Sequence, residues 1–101
     1  MKGILIDPKA KSVEALEGEF ENKELHRLIE AETLDFCHPF GRTETVVVDD
    51  NGVRLELPRF FIEGYQWPIF GRAVIFGRDA GGETVSTHLS VEEVFDSITF
   101  V

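Results

Sequence analysis

The sequence predicts a single α+β domain, built as a mixed, mostly antiparallel sheet of about five to seven strands with two helices. Three observations predict it. Short runs rich in Val, Ile and Phe are separated by Pro, Gly, Asn and Asp, the pattern of strands joined by tight turns. Residues 72–76 form a near-continuous apolar run, as expected of a central strand buried on both faces. Near the C-terminus, a Ser-x-x-Glu box precedes apolar residues at helical spacing, which marks a helix start.

In chain order, residues 3–6 are a β-type run closed by Asp7-Pro8. Proline removes a ladder donor and Asp favours turns, so residues 12–17 are expected to return as the second strand of a hairpin. Asn22 is a candidate N-cap. Leu25, Leu28 and Ile29 then follow at i, i+3, i+4, predicting a helix over 23–31. Residues 33–40 read as a strand ended by Pro39 and Gly41, with Leu34 and Phe36 on one face. Residues 43–48 are another strand. Asp49-Asp50-Asn51-Gly52 is the strongest turn signal, because Asn-Gly populates the positive-φ conformations of tight hairpins. Residues 53–57 alternate strictly between apolar and charged, so 43–57 are expected to form a β-hairpin.

Residues 58–70 read as an irregular, aromatic-rich segment. After the 72–76 strand, Asp79-Ala80-Gly81-Gly82 is a turn and 83–86 a returning strand. Ser90 is then an N-cap with Glu93 at N3. Leu89 and Val94 are placed to form a hydrophobic staple. Val91, Val94, Phe95 and Ile98 line one helical face. Residues 99–101 are a candidate final strand.

Composition narrows the class of function. Nineteen acidic residues against ten basic ones give a formal net charge of −9. Residues 1–50 carry twelve acids and six bases, and no lysine follows Lys23. Such a charge opposes direct binding to nucleic acid and to anionic membranes, and steers basic partners. No apolar stretch approaches the ~18 residues of a membrane span. Cys37 is the only cysteine, so no intramolecular disulfide can form, which fits a reducing compartment. Gly3 to Ile6 is too short for a signal peptide. The expected location is the cytoplasm.

The order of features resembles a family of small bacterial, phage and plasmid proteins of unknown function. The residues that carry the resemblance are Lys2-Gly3-Ile4-Leu5-Ile6-Asp7-Pro8, the helix around Leu25 to Ile29, Val46-Val47-Val48-Asp49-Asp50-Asn51-Gly52, the Leu57-Pro58 step, Ile69-Phe70-Gly71, Ala73-Val74-Ile75-Phe76-Gly77 and the acidic C-terminal helix. Where such proteins often carry an asparagine after the Leu-Pro step, this chain has Arg59, Phe60 and Phe61. The resemblance implies this fold and a mobile-element setting. It implies no activity.

Each candidate site has a plain structural alternative. Cys37-His38 is the pair that could support nucleophilic chemistry, but adjacent residues on a strand point to opposite faces. His26, His38 and His88 lack the spacing of metal ligands, and His26 with Glu30 reads as a surface pair at i, i+4. The glycines of residues 77–82 precede a strand and not a helix, so they suit a hairpin turn better than a phosphate loop. No catalytic residue, metal site or cofactor is expected.

Two surfaces remain. Residues 58–70 hold Phe60, Phe61, Tyr65, Trp67 and Phe70, five of the eleven aromatic residues, with Arg59 beside them. They suit either a cover over the sheet or a partner surface, self-association included. Glu14, Glu17, Glu19, Glu21 and Glu24 form an acidic cluster. It is either an ordinary solvated face or, on the mobile-element resemblance, a phosphate mimic that blocks a basic pocket of another protein. The expected function is a non-enzymatic interaction protein of a phage, plasmid or bacterial accessory system, binding a basic partner. The alternative is a small-molecule binding module with its pocket near residues 58–70.

Overall fold

A computed structural model describes residues 1–101. Nine strands and two helices follow in the order β1 (Lys2–Asp7), β2 (Ser12–Glu17), α1 (Asn22–Ile29), β3 (Leu34–Cys37), β4 (Glu44–Asp49), β5 (Arg59–Ile62), β6 (Ile69–Phe70), β7 (Ala73–Arg78), β8 (Thr84–Val85), α2 (Val91–Ser97) and β9 (Ile98–Phe100). The fold is α+β, as predicted. It is divided into a six-stranded sheet ordered β2-β1-β7-β4-β3, with β8 on β7, and a three-stranded sheet ordered β6-β5-β9. Every strand pair is antiparallel.

The apolar run becomes β7, the centre of the large sheet, paired to β4 along one edge and to β1 and β8 along the other. Its alternation divides the core in two. Ala73 and Ile75, with Ile4, Ile6 and Val46, face Phe60, Ile62 and Ile69 of the small sheet and Val94 of α2. Val74 and Phe76, with Val47, face Leu25 and Ile29 of α1 and the Phe20 ring. The layers are therefore α1, the large sheet, and the small sheet with α2. Each fully buried Ile or Leu contributes about 1.5–3 kcal/mol. Phe20 and Phe76 stack with centroids 5.3 Å apart.

The C-terminal helix begins as the sequence predicts. Ser90 Oγ accepts the Glu93 N–H and the Glu93 carboxylate accepts the Ser90 N–H, so two orphan donors are satisfied together. The first helix begins differently. Its N-cap is Glu21, with no side-chain cap bond, and Asn22 is already helical. Glu24 instead reaches back to accept the Phe20 N–H.

The predicted hairpin over 43–57 is not formed. Only Glu44–Asp49 is a strand, and residues 50–56 fold into successive turns. The reason lies in the neighbours: β4 is flanked on one edge by β7 and on the other by β3, so a returning strand has no free ladder. The Leu55 N–H bonds the Asn51 carbonyl and the Leu57 N–H the Gly52 carbonyl. Gly52 is needed for closeness and not for a positive φ: a Cβ there would sit 2.3 Å from the Phe70 carbonyl oxygen. Residues 58–70 are also more regular than predicted, because β5 pairs with β6 and, across the chain, with β9.

Arg72 ties three elements together. Its guanidinium lies 3.4 Å from Asp7, 3.5 Å from Glu30 and 3.3 Å from the Leu28 carbonyl. It thus sits at the C-terminal end of α1, where a cation complements the helix dipole.

Candidate functional site

The three histidines are separated in role. His26 Nδ1 contacts the Ala31 carbonyl at 2.9 Å, while Glu30 turns to Arg72, so the expected His26–Glu30 pair is not made. Cys37 faces the core on the small-sheet side. His38, one residue past the strand, is exposed and its Nδ1 contacts the Glu44 carbonyl oxygen at 3.0 Å. A carbonyl only accepts, so this nitrogen carries the proton. Thiol and imidazole are both engaged elsewhere, and burial pushes the Cys37 thiol up, with the nearby Tyr65 hydroxyl opposing and Asp35 adding to the rise. The thiolate needed for attack is correspondingly scarce.

The acidic cluster does not form one face. Glu14 and Glu17 lie on a strand with opposite parity, hence on opposite faces of β2. Glu17 lies 3.7 Å from the N-terminal amine, Glu19 and Glu21 are exposed around the start of α1, and Glu24 is used in the turn before it.

The aromatics of 58–70 divide by parity. On β5, Phe60 points inward and is fully buried, while Arg59 and Phe61 point outward, the guanidinium lying 6.0 Å from the Phe61 ring centroid. Tyr65 and Phe70 are half-buried, and Trp67 is 62 % exposed. Trp67, Tyr65, Phe70 and Val53 line a hollow of about 200 Å³ whose other wall is Cys37 and Val48, on the face of the large sheet away from α1. Asp35, Asp49 and Asp50 border it. Asp49 is held by the Asn51 N–H at 2.8 Å, whereas Asp35 and Asp50 are exposed. The hollow therefore has an apolar lining and an acidic rim.

A comparison with family models decides the assignment: the match covers residues 1–99 and is described as a domain of unknown function. The chain belongs to the DUF3846 family. No curated protein and no solved structure matches it significantly. The family carries no activity to this DUF3846 domain, so its chemistry must be argued from its own residues. No group of three or more metal-binding side chains is brought together, and no helix is long and apolar enough to cross a membrane.

One polar centre escaped the sequence reading. Glu44, at the start of β4, is 1 % exposed. Its carboxylate accepts the Thr87 hydroxyl, the His88 N–H at 3.1 Å and His88 Nδ1 at 2.8 Å. These partners come from the strap between β8 and α2, more than forty residues away. Three donors meet the buried carboxylate, and of the Glu44–His88 pair only the His88 side chain, 61 % exposed, reaches solvent. It fastens the strap over the end of the large sheet.

Proposed function

We propose that this DUF3846 domain is a non-catalytic interaction domain that seats one apolar side chain of a basic protein segment in the hollow beside Trp67. The observation that carries this reading is the combination of an apolar lining containing the most exposed aromatic ring with an acidic rim of the exposed Asp35 and Asp50. Exposed Trp beside a depression is the composition of interface hot spots, and the rim selects for Lys or Arg flanking the anchor. Size favours a side chain over a free metabolite: the hollow holds about 200 Å³, below the ~300–1,000 Å³ of typical small-molecule pockets. Charge favours a foreign partner over a second copy, because each copy carries a net charge of −9. The phage, plasmid or bacterial accessory setting suggested by the sequence resemblance suits such a protein, as does a cytoplasm that keeps Cys37 reduced.

Selection of a displayed random-peptide library on the folded domain tests the reading. Enriched peptides should carry one large apolar residue flanked by Lys or Arg, lose binding to the Trp67→Ala variant, and weaken as salt rises through the range where the Debye length falls below about 10 Å. Enrichment of acidic or purely apolar peptides, or equal binding to Trp67→Ala, contradicts it.

A further inference from the structure

A second surface lies on the opposite face of β3 and uses none of the residues around Trp67. Because β4 and β7 pair from Glu44–Gly77 inward, the turn before β4 and the turn after β7 emerge side by side, locked by the Arg78 N–H on the Thr43 carbonyl at 2.8 Å. Arg42, Arg78 and His38 are thereby gathered around one cleft of about 630 Å³. Neither arginine has a carboxylate within ion-pair distance, in a chain with nearly two acids for every base. Asp79 is the one carboxylate lining the cleft, and its Oδ1 is turned into its own loop, accepting the Gly81 and Glu83 N–H groups at 2.9 and 2.8 Å.

This basic cleft is continuous with a second one of about 360 Å³, with which it shares His38, Arg78 and Gly82. The second cleft is floored by the Phe36, Phe76 and Phe20 rings and edged by the Thr45 and Thr84 side chains. Phe36 is 51 % exposed on an edge strand, an arrangement with no role in the core. Unpaired guanidinium groups are forks for phosphate or carboxylate, and an exposed ring beside them offers a stacking surface for a planar group. The combined volume falls within the range of small-molecule sites.

We infer that this cleft binds a small organic anion of the nucleoside monophosphate class, its phosphate held by Arg42 and Arg78 and its planar ring laid on Phe36. The overall acidity of the chain disfavours a longer phosphate backbone at the same place, which is why a mononucleotide and not a strand is assigned.

The test is a two-dimensional NMR titration of the intact domain with AMP, alongside adenosine, inorganic phosphate and a short oligoadenylate. AMP should move the amide signals of His38, Arg78 and Gly82 and leave those around Trp67 in place. Adenosine and inorganic phosphate should each bind more weakly than AMP. Arg42→Ala and Arg78→Ala, both at exposed positions, should weaken AMP binding roughly ten- to hundredfold, the worth of a charge-assisted hydrogen bond, and Phe36→Ala should weaken AMP but not inorganic phosphate. Unmoved signals with AMP, affinity unchanged in the arginine variants, or phosphate binding as tightly as AMP overturns the inference. Tighter binding of oligoadenylate than of AMP overturns it too, in favour of a nucleic-acid strand.

Discussion

At the residue scale, Glu44 is where a single atom group matters most. Its carboxylate is buried and takes hydrogen bonds from Thr87 and His88. Removing the carboxylate leaves the part-buried Thr87 hydroxyl and His88 N–H without their acceptor, which costs more than the net worth of the bonds themselves. Glu44→Ala is expected to lower stability by about 1–3 kcal/mol, read as a fall in the urea midpoint at constant slope. Glu44→Gln, which keeps the size and one acceptor, should lose less. A midpoint unchanged in both variants would mean the strap is held without this centre. The contrast with Glu14 is instructive. Both are glutamates on strands, but Glu14 sits on the sheet edge in solvent and Glu44 sits under a strap.

At the element scale, the segment after β4 shows what pattern alone can and cannot say. Residues 53–57 alternate like a strand, yet Val53 and Leu55 are 69 % and 52 % exposed and the segment is a set of turns. Alternation describes which side chains a strand would bury; it does not supply a free edge to pair with. Amide hydrogen exchange separates the two descriptions. The Val53 and Arg54 N–H groups have no backbone acceptor and should exchange almost as fast as in an open chain, while Val47 and Val74, paired in the sheet centre, should exchange only on global opening. Protection at Val53 and Arg54 equal to that at Val47 would restore the hairpin.

The legible elements were those whose signals are local. The capping box of α2 spans four residues, the β1–β2 hairpin closes over a short turn, and the apolar run of β7 announces burial by itself. The small sheet was illegible because its pairing is not local: Phe60 pairs with Phe100, and their rings lie 6.4 Å apart. The same is true of both candidate sites. Asp35, Asp49 and Trp67 meet only because β3 pairs with β4 and the 50–56 turns bring the aromatic segment against them. Arg42 and Arg78 meet only because β4 and β7 are neighbours. The aromatic content of 58–70 was visible, but which rings face outward depended on the register of β5.

At the scale of the whole molecule, the large sheet separates two unlike surfaces. The face toward the small sheet carries the acid-rimmed apolar hollow, and the α1 face carries the basic cleft. The excess of acid disperses around β2 and the start of α1. The interaction proposed for the hollow rests on the environment of Trp67, which is the only tryptophan in the chain. Its fluorescence therefore reports that one place. The most direct measurement is the emission of Trp67 as a selected Arg-flanked apolar peptide is titrated in. The emission should shift to shorter wavelength, saturate with binding and return on addition of salt. Peptide binding established by calorimetry with the emission of Trp67 unchanged would contradict it.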